Sequence, residues 1–180
     1  MKMRKKVLAG LVCALTLCLS FVLVGCGGGK PLDKDVVIND DFKMSIPSSY
    51  EEAYGGDTAE SGSIFNVRYK SGDYSFSVLS SPYTTSVEED LKDYALDKEL
   101  SDFQQKKLLE GKSDLGTEWW VYNIKYHDND PSKSWQRNLP EDKRQSDFDY
   151  DIVYVETSKA FYTIPMPDDI NSTDLAKTIK

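Results

Sequence analysis

From Val7 to Leu23 the chain is apolar, broken only by Gly10, Thr16 and Ser20. The segment Met1 to Lys6 in front of it is basic, and the pair matches a secretory signal with a long apolar stretch. A run of roughly 20 apolar residues also suffices for an uncleaved membrane anchor. Beyond Asp35 the pattern changes from continuous to alternating. Val36–Ile38 and Phe42–Ile46 read as short strands around the polar turn Asn39-Asp40-Asp41, and Pro47 ends the second. Ser48 to Ser63 is polar, contains Gly55, Gly56 and Gly62, and reads as a loop with one turn of helix. Ile64–Tyr69 and Tyr74–Leu79 alternate on either side of Lys70-Ser71-Gly72-Asp73, the pattern of a β-hairpin.

The period then lengthens. Ser86-Val87-Glu88-Glu89 fits a capping box, in which the serine hydroxyl meets the Glu89 amide and the Glu89 carboxylate reaches back. Val87, Leu91, Tyr94 and Ala95 follow at helical spacing, with Phe103 in register two turns on, which carries the expected helix to about Ser101. Gln105–Glu110 and Gly116–His127 read as an antiparallel pair. In the second, Trp120, Tyr122, Ile124 and Tyr126 alternate with Trp119, Val121, Asn123 and Lys125. Apolar groups on both sides at its start predict a central strand covered on both faces there. Asp128 to Ser146 is a polar loop, long enough to be functional or mobile. Phe148–Glu156 and Ala160–Ile164 form a last hairpin, stopped by Pro165 and Pro167. Asn171 or Ser172 caps a helix over Thr173–Lys180, with Leu175 and Ile179 on one face. Strands, a helix, more strands and a terminal helix give an α+β domain: an antiparallel sheet with helices packed on it.

Composition changes the picture at the leader. Of 180 residues, 22 are basic and 30 acidic. The leader holds Lys2, Arg4, Lys5 and Lys6 and no acid, so without it the formal charge moves from −8 to near −12. That acidity argues against nucleic acid as a partner and against adhesion to anionic lipid. Leu23-Val24-Gly25-Cys26 resembles the bacterial lipobox. The resemblance implies cleavage between Gly25 and Cys26, after a residue small enough for a peptidase to approach, and a diacylglyceryl group on the Cys26 thiol. Two acyl chains anchor a protein far more firmly than one. Cys13 and Cys18 would leave with the signal and Cys26 would be consumed, which removes thiol catalysis and cysteine-ligated zinc. The expected organisation is a cleaved signal at 1–25, a lipidated cysteine with a flexible Gly27-Gly28-Gly29 tether at 26–35, and one domain at 36–180. The expected place is the extracytoplasmic face of a cell membrane.

A second resemblance covers the domain. Phe42-Lys43-Met44-Ser45-Ile46-Pro47-Ser48-Ser49-Tyr50 looks like the strand, proline and aromatic opening of the Mog1/PsbP-like fold, and Phe161-Tyr162-Thr163-Ile164-Pro165 with its following helix looks like the close of that fold. Members of that fold serve mostly as binding or assembly factors, so the resemblance implies a role without catalysis. It carries over no functional residue and no cofactor.

The residues offer few chemical devices. His127 is the only histidine, and no G-x-S-x-G elbow is present to pair with it. Asp128 and Asp130 beside it form at most a loose metal set. Asp147, Asp149 and Asp151 share one face of a strand; their repulsion invites a hard cation such as Ca²⁺, or they form an acidic edge that blocks aggregation. Trp119 and Trp135 are the candidate ligand contacts, Trp135 because it lies among Lys133, Gln136 and Arg137 in the long loop. Two functions are therefore expected. The first is a lipid-anchored binding or assembly domain that contacts protein or glycan of the cell envelope, with no cofactor. The alternative is a carboxylate-dependent hydrolase of cell-wall glycan, which needs a cleft holding two acids, one with a raised pKa.

Overall fold

The computed structural model of the chain describes residues 29–58, 64–80, 84–97, 99–132, 136 and 140–180. Among these residues nine strands and two α-helices follow in order, with one 3-10 turn at Glu141–Lys143: β1 (Lys34–Ile38), β2 (Phe42–Ile46), β3 (Glu51–Thr58), β4 (Ile64–Ser71), β5 (Tyr74–Ser80), α1 (Val87–Leu96), β6 (Leu100–Lys112), β7 (Glu118–Asp128), β8 (Asp147–Glu156), β9 (Phe161–Pro165) and α2 (Ser172–Ala176). The first two strands pair only with each other; the other seven form one antiparallel sheet in the order β3-β4-β5-β9-β8-β7-β6. The α+β architecture expected from the element order is present.

The sheet is covered on both faces. On one, Ile38, Phe42, Met44 and Ile46 of the β1–β2 hairpin pack with Leu175 and Ile179 against Val121, Val153, Val155 and Ile164. On the other, Val87 and Leu91 of α1 pack against Ile124, Ile152, Tyr154 and Phe161. The alternation along β8 serves both: Ile152 and Tyr154 point to α1, Val153 and Val155 to the hairpin. The β1–β2 turn places Asn39 and Asp40 at φ near +50°, a region that short polar side chains tolerate. Helix α2 has five residues, too few to hold its own turn in water. Full burial of Leu175 and near-full burial of Ile179, each worth ~1.5–3 kcal/mol, fix it in place.

Several boundaries differ from those the pattern predicts. The stretch expected as a loop before Ser63 contains β3, eight residues paired along β4. Helix α1 stops at Leu96, where Asp97 turns extended, and does not run to Ser101. Phe103 belongs instead to β6, yet its ring still stacks on Tyr94 at 5.8 Å and 5°. The Ser86 cap forms, with the Glu89 amide donating to Ser86 Oγ at 3.2 Å; the Glu89 carboxylate reaches past Ser86 to the Thr85 amide and hydroxyl, both at 2.9 Å. The terminal helix is shorter than Thr173–Lys180, capped by Asn171, whose Oδ1 accepts from the Asp174 amide at 3.0 Å.

The segment expected as tether is also altered. From Lys30 onward it lies on the fold. Lys30 Nζ pairs with Asp169 Oδ2 at 2.7 Å, and the same ammonium sits 5.2 Å from the centroid of Tyr50 and 5.5 Å from that of Tyr74. Tyr50 donates from its hydroxyl to the other oxygen of Asp169 at 2.6 Å. Among the described residues no helix is long and apolar enough to cross a membrane. The apolar leader, Gly25 and Cys26 lie outside them.

Candidate functional site

Strand β8 is ten residues long and β9 only five. They pair from Glu156 with Phe161 to Ile152 with Pro165, and the Met166 amide adds a last bond to the Asp151 carbonyl at 2.8 Å. Pro165 and Pro167 then turn the chain away. Asp147 to Tyr150 continue beyond that point and, among the described residues, pair only to β7. The sheet therefore has a notch on the β9 side of β8.

The three aspartates face one side there, as their spacing predicts, and β7 meets each in register: His127 opposite Asp147, Lys125 opposite Asp149, Asn123 opposite Asp151. His127 Nδ1 lies 2.8 Å from Asp147 Oδ1, and Lys125 Nζ 2.6 Å from Asp149 Oδ2. The Asn123 amide nitrogen donates to both Asp149 and Asp151, at 2.9 and 3.0 Å. Ser172 at the start of α2 donates to Asp151 at 2.5 Å. The hydrogen bond from Lys125, and after it that from Asn123, holds the Asp149 carboxyl below its ordinary pKa. Mutual repulsion is thus relieved by a cation, an amide and a hydroxyl of the protein itself. Among the described residues no group of three or more His, Cys, Asp or Glu side chains is placed to hold a metal ion.

Two shallow hollows flank this ladder and share Asp149. One, of about 260 Å³, opens beside the notch, between the Asn123–Asp151 end of the ladder and Met166, Pro167, Asp168 and Ile170, with Asp149 and Tyr150 in its lining. The other, of about 290 Å³, lies toward the β6 bulge, against Gln104, Lys125, His127, Asp147 and Phe148. Both fall below the ~300 Å³ at which small-molecule pockets usually begin.

The other candidates are dispersed. Trp119 is 8% exposed, and its ring lies across Gly111 on β6, so packing explains it and little of the ring is open to a ligand. Trp135 is outside the described residues. Asp128 does not join His127. It is buried, its carboxylate accepts from the Gln136 amide at 3.0 Å, and Gln136 in turn bonds both the carbonyl and the amide of Gln145. That staple between the strand end and the long loop leaves no mark in the sequence pattern, because a buried glutamine inside a polar stretch gives no periodic signal.

On the opposite face, under α1, the Tyr154 hydroxyl donates to Asp90 at 2.7 Å and the hydroxyls of Tyr94 and Tyr150 meet at 3.0 Å. Burial pushes the Asp90 carboxyl up, with Tyr154 opposing the shift. Burial also pushes the Tyr94 phenol up to about 12 and those of Tyr150 and Tyr154 higher. Asp90 lines neither hollow described above.

A scan of this sequence against models of known protein families finds no match, and a search of curated proteins finds none either.

Proposed function

We propose that this chain is a lipid-anchored extracytoplasmic domain that binds a protein or glycan of the cell envelope and performs no catalysis. The observation that carries the reading is the position of Lys30. Cys26 precedes it by four residues, and four residues span at most ~14 Å. Lys30 is fixed to Asp169, and Asp168 and Ile170 beside it line the notch. A lipid on Cys26 would keep that notch close to the membrane surface, where an envelope partner is met. The paired state of the ladder supports binding over proton transfer: Asp149 is held in its charged form and each aspartate has a neighbouring partner. The acid with a raised pKa, Asp90, lies under α1, away from the hollows, so the two-acid cleft of the hydrolase alternative has no support in this arrangement. The order of hairpin, proline turn, sheet and closing helix is also consistent with a fold of the Mog1/PsbP-like type.

The test compares the full chain with Cys26→Ser in cells. The expected result is a wild-type chain that carries a diacylglyceryl mass and partitions into detergent, a variant that does neither, and an envelope partner crosslinked to the wild type. Equal partitioning of the two chains sinks the anchor. Turnover of cell-wall glycan that Asp149→Asn abolishes sinks the non-catalytic reading.

A further inference from the structure

We infer that the notch beside β8 is a slot for an added β-strand, filled by an extended peptide segment in which basic and apolar residues alternate. The inference rests on the binding reading above and names the kind of partner it requires.

The sheet treats its edges differently. Its two outer strands are both irregular: β6 shifts register between Ser101 and Gln104 and again between Lys107 and Leu109, and β3 shifts between Glu52 and Tyr54. β6 also exposes Lys106, Lys107, Glu110 and Lys112 along its length. Bulges and charges of this kind discourage strand addition. The inner edge has no such irregularity. β8 keeps register with β7 through ten consecutive pairs, from Glu156 to Asp147. The Asp151 carbonyl points to the β9 side, where it takes the Met166 amide. Backbone groups alternate along an antiparallel strand, so the N–H and C=O of Asp149 and Asp147 point the same way, past the end of β9. Among the described residues no strand pairs with this regular edge, and Asp149 also lines the hollow bounded by Met166, Pro167 and Ile170.

Position selects the occupant. A guest residue opposite Asp149 places its side chain on the same face as the aspartates, beside Asp147, Asp149 and Asp168. Against these stand Lys125 and His127, so the patch stays acidic and favours lysine or arginine. Guest residues at the alternate positions fall beside Phe148 and Tyr150, both half-buried aromatics, and favour an apolar side chain. Because the Asp149 backbone faces the slot, the guest residue opposite it forms the hydrogen-bonded pair. The basic residues of the guest must therefore supply the ladder amides, and the apolar ones must not.

The test uses the full chain in detergent micelles and a seven-residue peptide of alternating lysine and valine. The expected result is saturable binding, with amide exchange at Asp147 and Asp149 slowed about tenfold or more. N-methylation of the lysine amides weakens binding about tenfold or more, while N-methylation of the valine amides leaves it near the parent value. Asp149→Pro removes one outward N–H and loses binding. Asp149→Asn keeps the backbone and weakens binding only through charge. The proposal is overturned if both methylated peptides bind alike, if an alternating glutamate and valine peptide binds equally well, or if exchange slows away from β8. A partner crosslinked at another surface overturns the slot and leaves the binding reading. Peptide binding at β8 with no envelope partner recovered does the reverse.

Discussion

Gly111 and Trp119 face each other across β6 and β7, and the indole occupies the space a side chain on Gly111 would need: a Cβ there would lie 2.3 Å from Trp119 Cζ2. Gly111→Ala is therefore expected to destabilise the fold by ~1–3 kcal/mol through overpacking, read as a lower urea midpoint with unchanged slope. An unchanged midpoint would show that the ring can swing aside. Asp90 gives a pH-dependent case. Its folded pKa is raised by burial, so the folded state holds its proton longer than the unfolded chain. The stability this contributes is complete below the unfolded value near 3.8 and is lost as pH rises through the folded value. Asp90→Asn should thus compare better with wild type at pH 7 than at pH 3.5, by denaturant titration at both. A constant difference would contradict the assignment. The tryptophan pattern showed in the sequence, but the reason one ring is buried did not, because it depends on a glycine eight residues away on another strand.

At the scale of elements, the staple from Gln136 to Asp128 and Gln145 ties the middle of the long loop to the end of β7. Gln136→Ala leaves a buried carboxylate and two backbone groups without these partners. The expected cost is ~1–3 kcal/mol, with faster amide exchange at Gln145; unchanged exchange there would remove the staple from the account. Strands β4, β5, β7 and β8 were legible because their alternation is strong. β3 was not: Glu51 to Thr58 contains two adjacent glycines and little β-branching, and it exists as a strand because β4 offers a partner edge. The end of α1 departs from the sequence pattern for the opposite reason. Phe103 continues the helical period, but Leu100 and Ser101 pair with Asp128 and His127, and that pairing claims the residues for β6.

At the scale of the molecule, the Lys30–Asp169 lock sets how much chain separates Cys26 from the fold. Asp169→Asn removes the charge partner and should free additional residues for the tether. If Cys26 carries lipid, a fluorophore at Asp168→Cys should be quenched by bilayer-borne quencher more strongly than one at Ser158→Cys, and the difference should shrink in Asp169→Asn. Equal quenching at both positions in the unmodified tether would exclude a fixed orientation. The tyrosines set the alkaline limit. Burial raises Tyr69, Tyr94 and Tyr162 to about 12 from an ordinary value of 10, so stability should fall as pH rises from 10 through 12. Phenolate absorbance should then appear together with loss of the fold; phenolate formed in intact protein below pH 11 would contradict this.

What the sequence determined by itself is local. Alternation places Asp147, Asp149 and Asp151 on one face and marks β7 as a strand covered on both sides, because side-chain direction follows strand period without reference to a partner. The polar turn at Asn39 to Asp41 and the caps at Ser86 and Asn171 are equally local, since each depends on residues within a few positions. Only the tertiary structure decided what those faces meet. Lys125, His127 and Asn123 reach the aspartates through a register fixed by β7, twenty or more residues away. The notch exists because β9 is half the length of β8 and ends at a proline, a mismatch between two strands that neither strand's pattern contains.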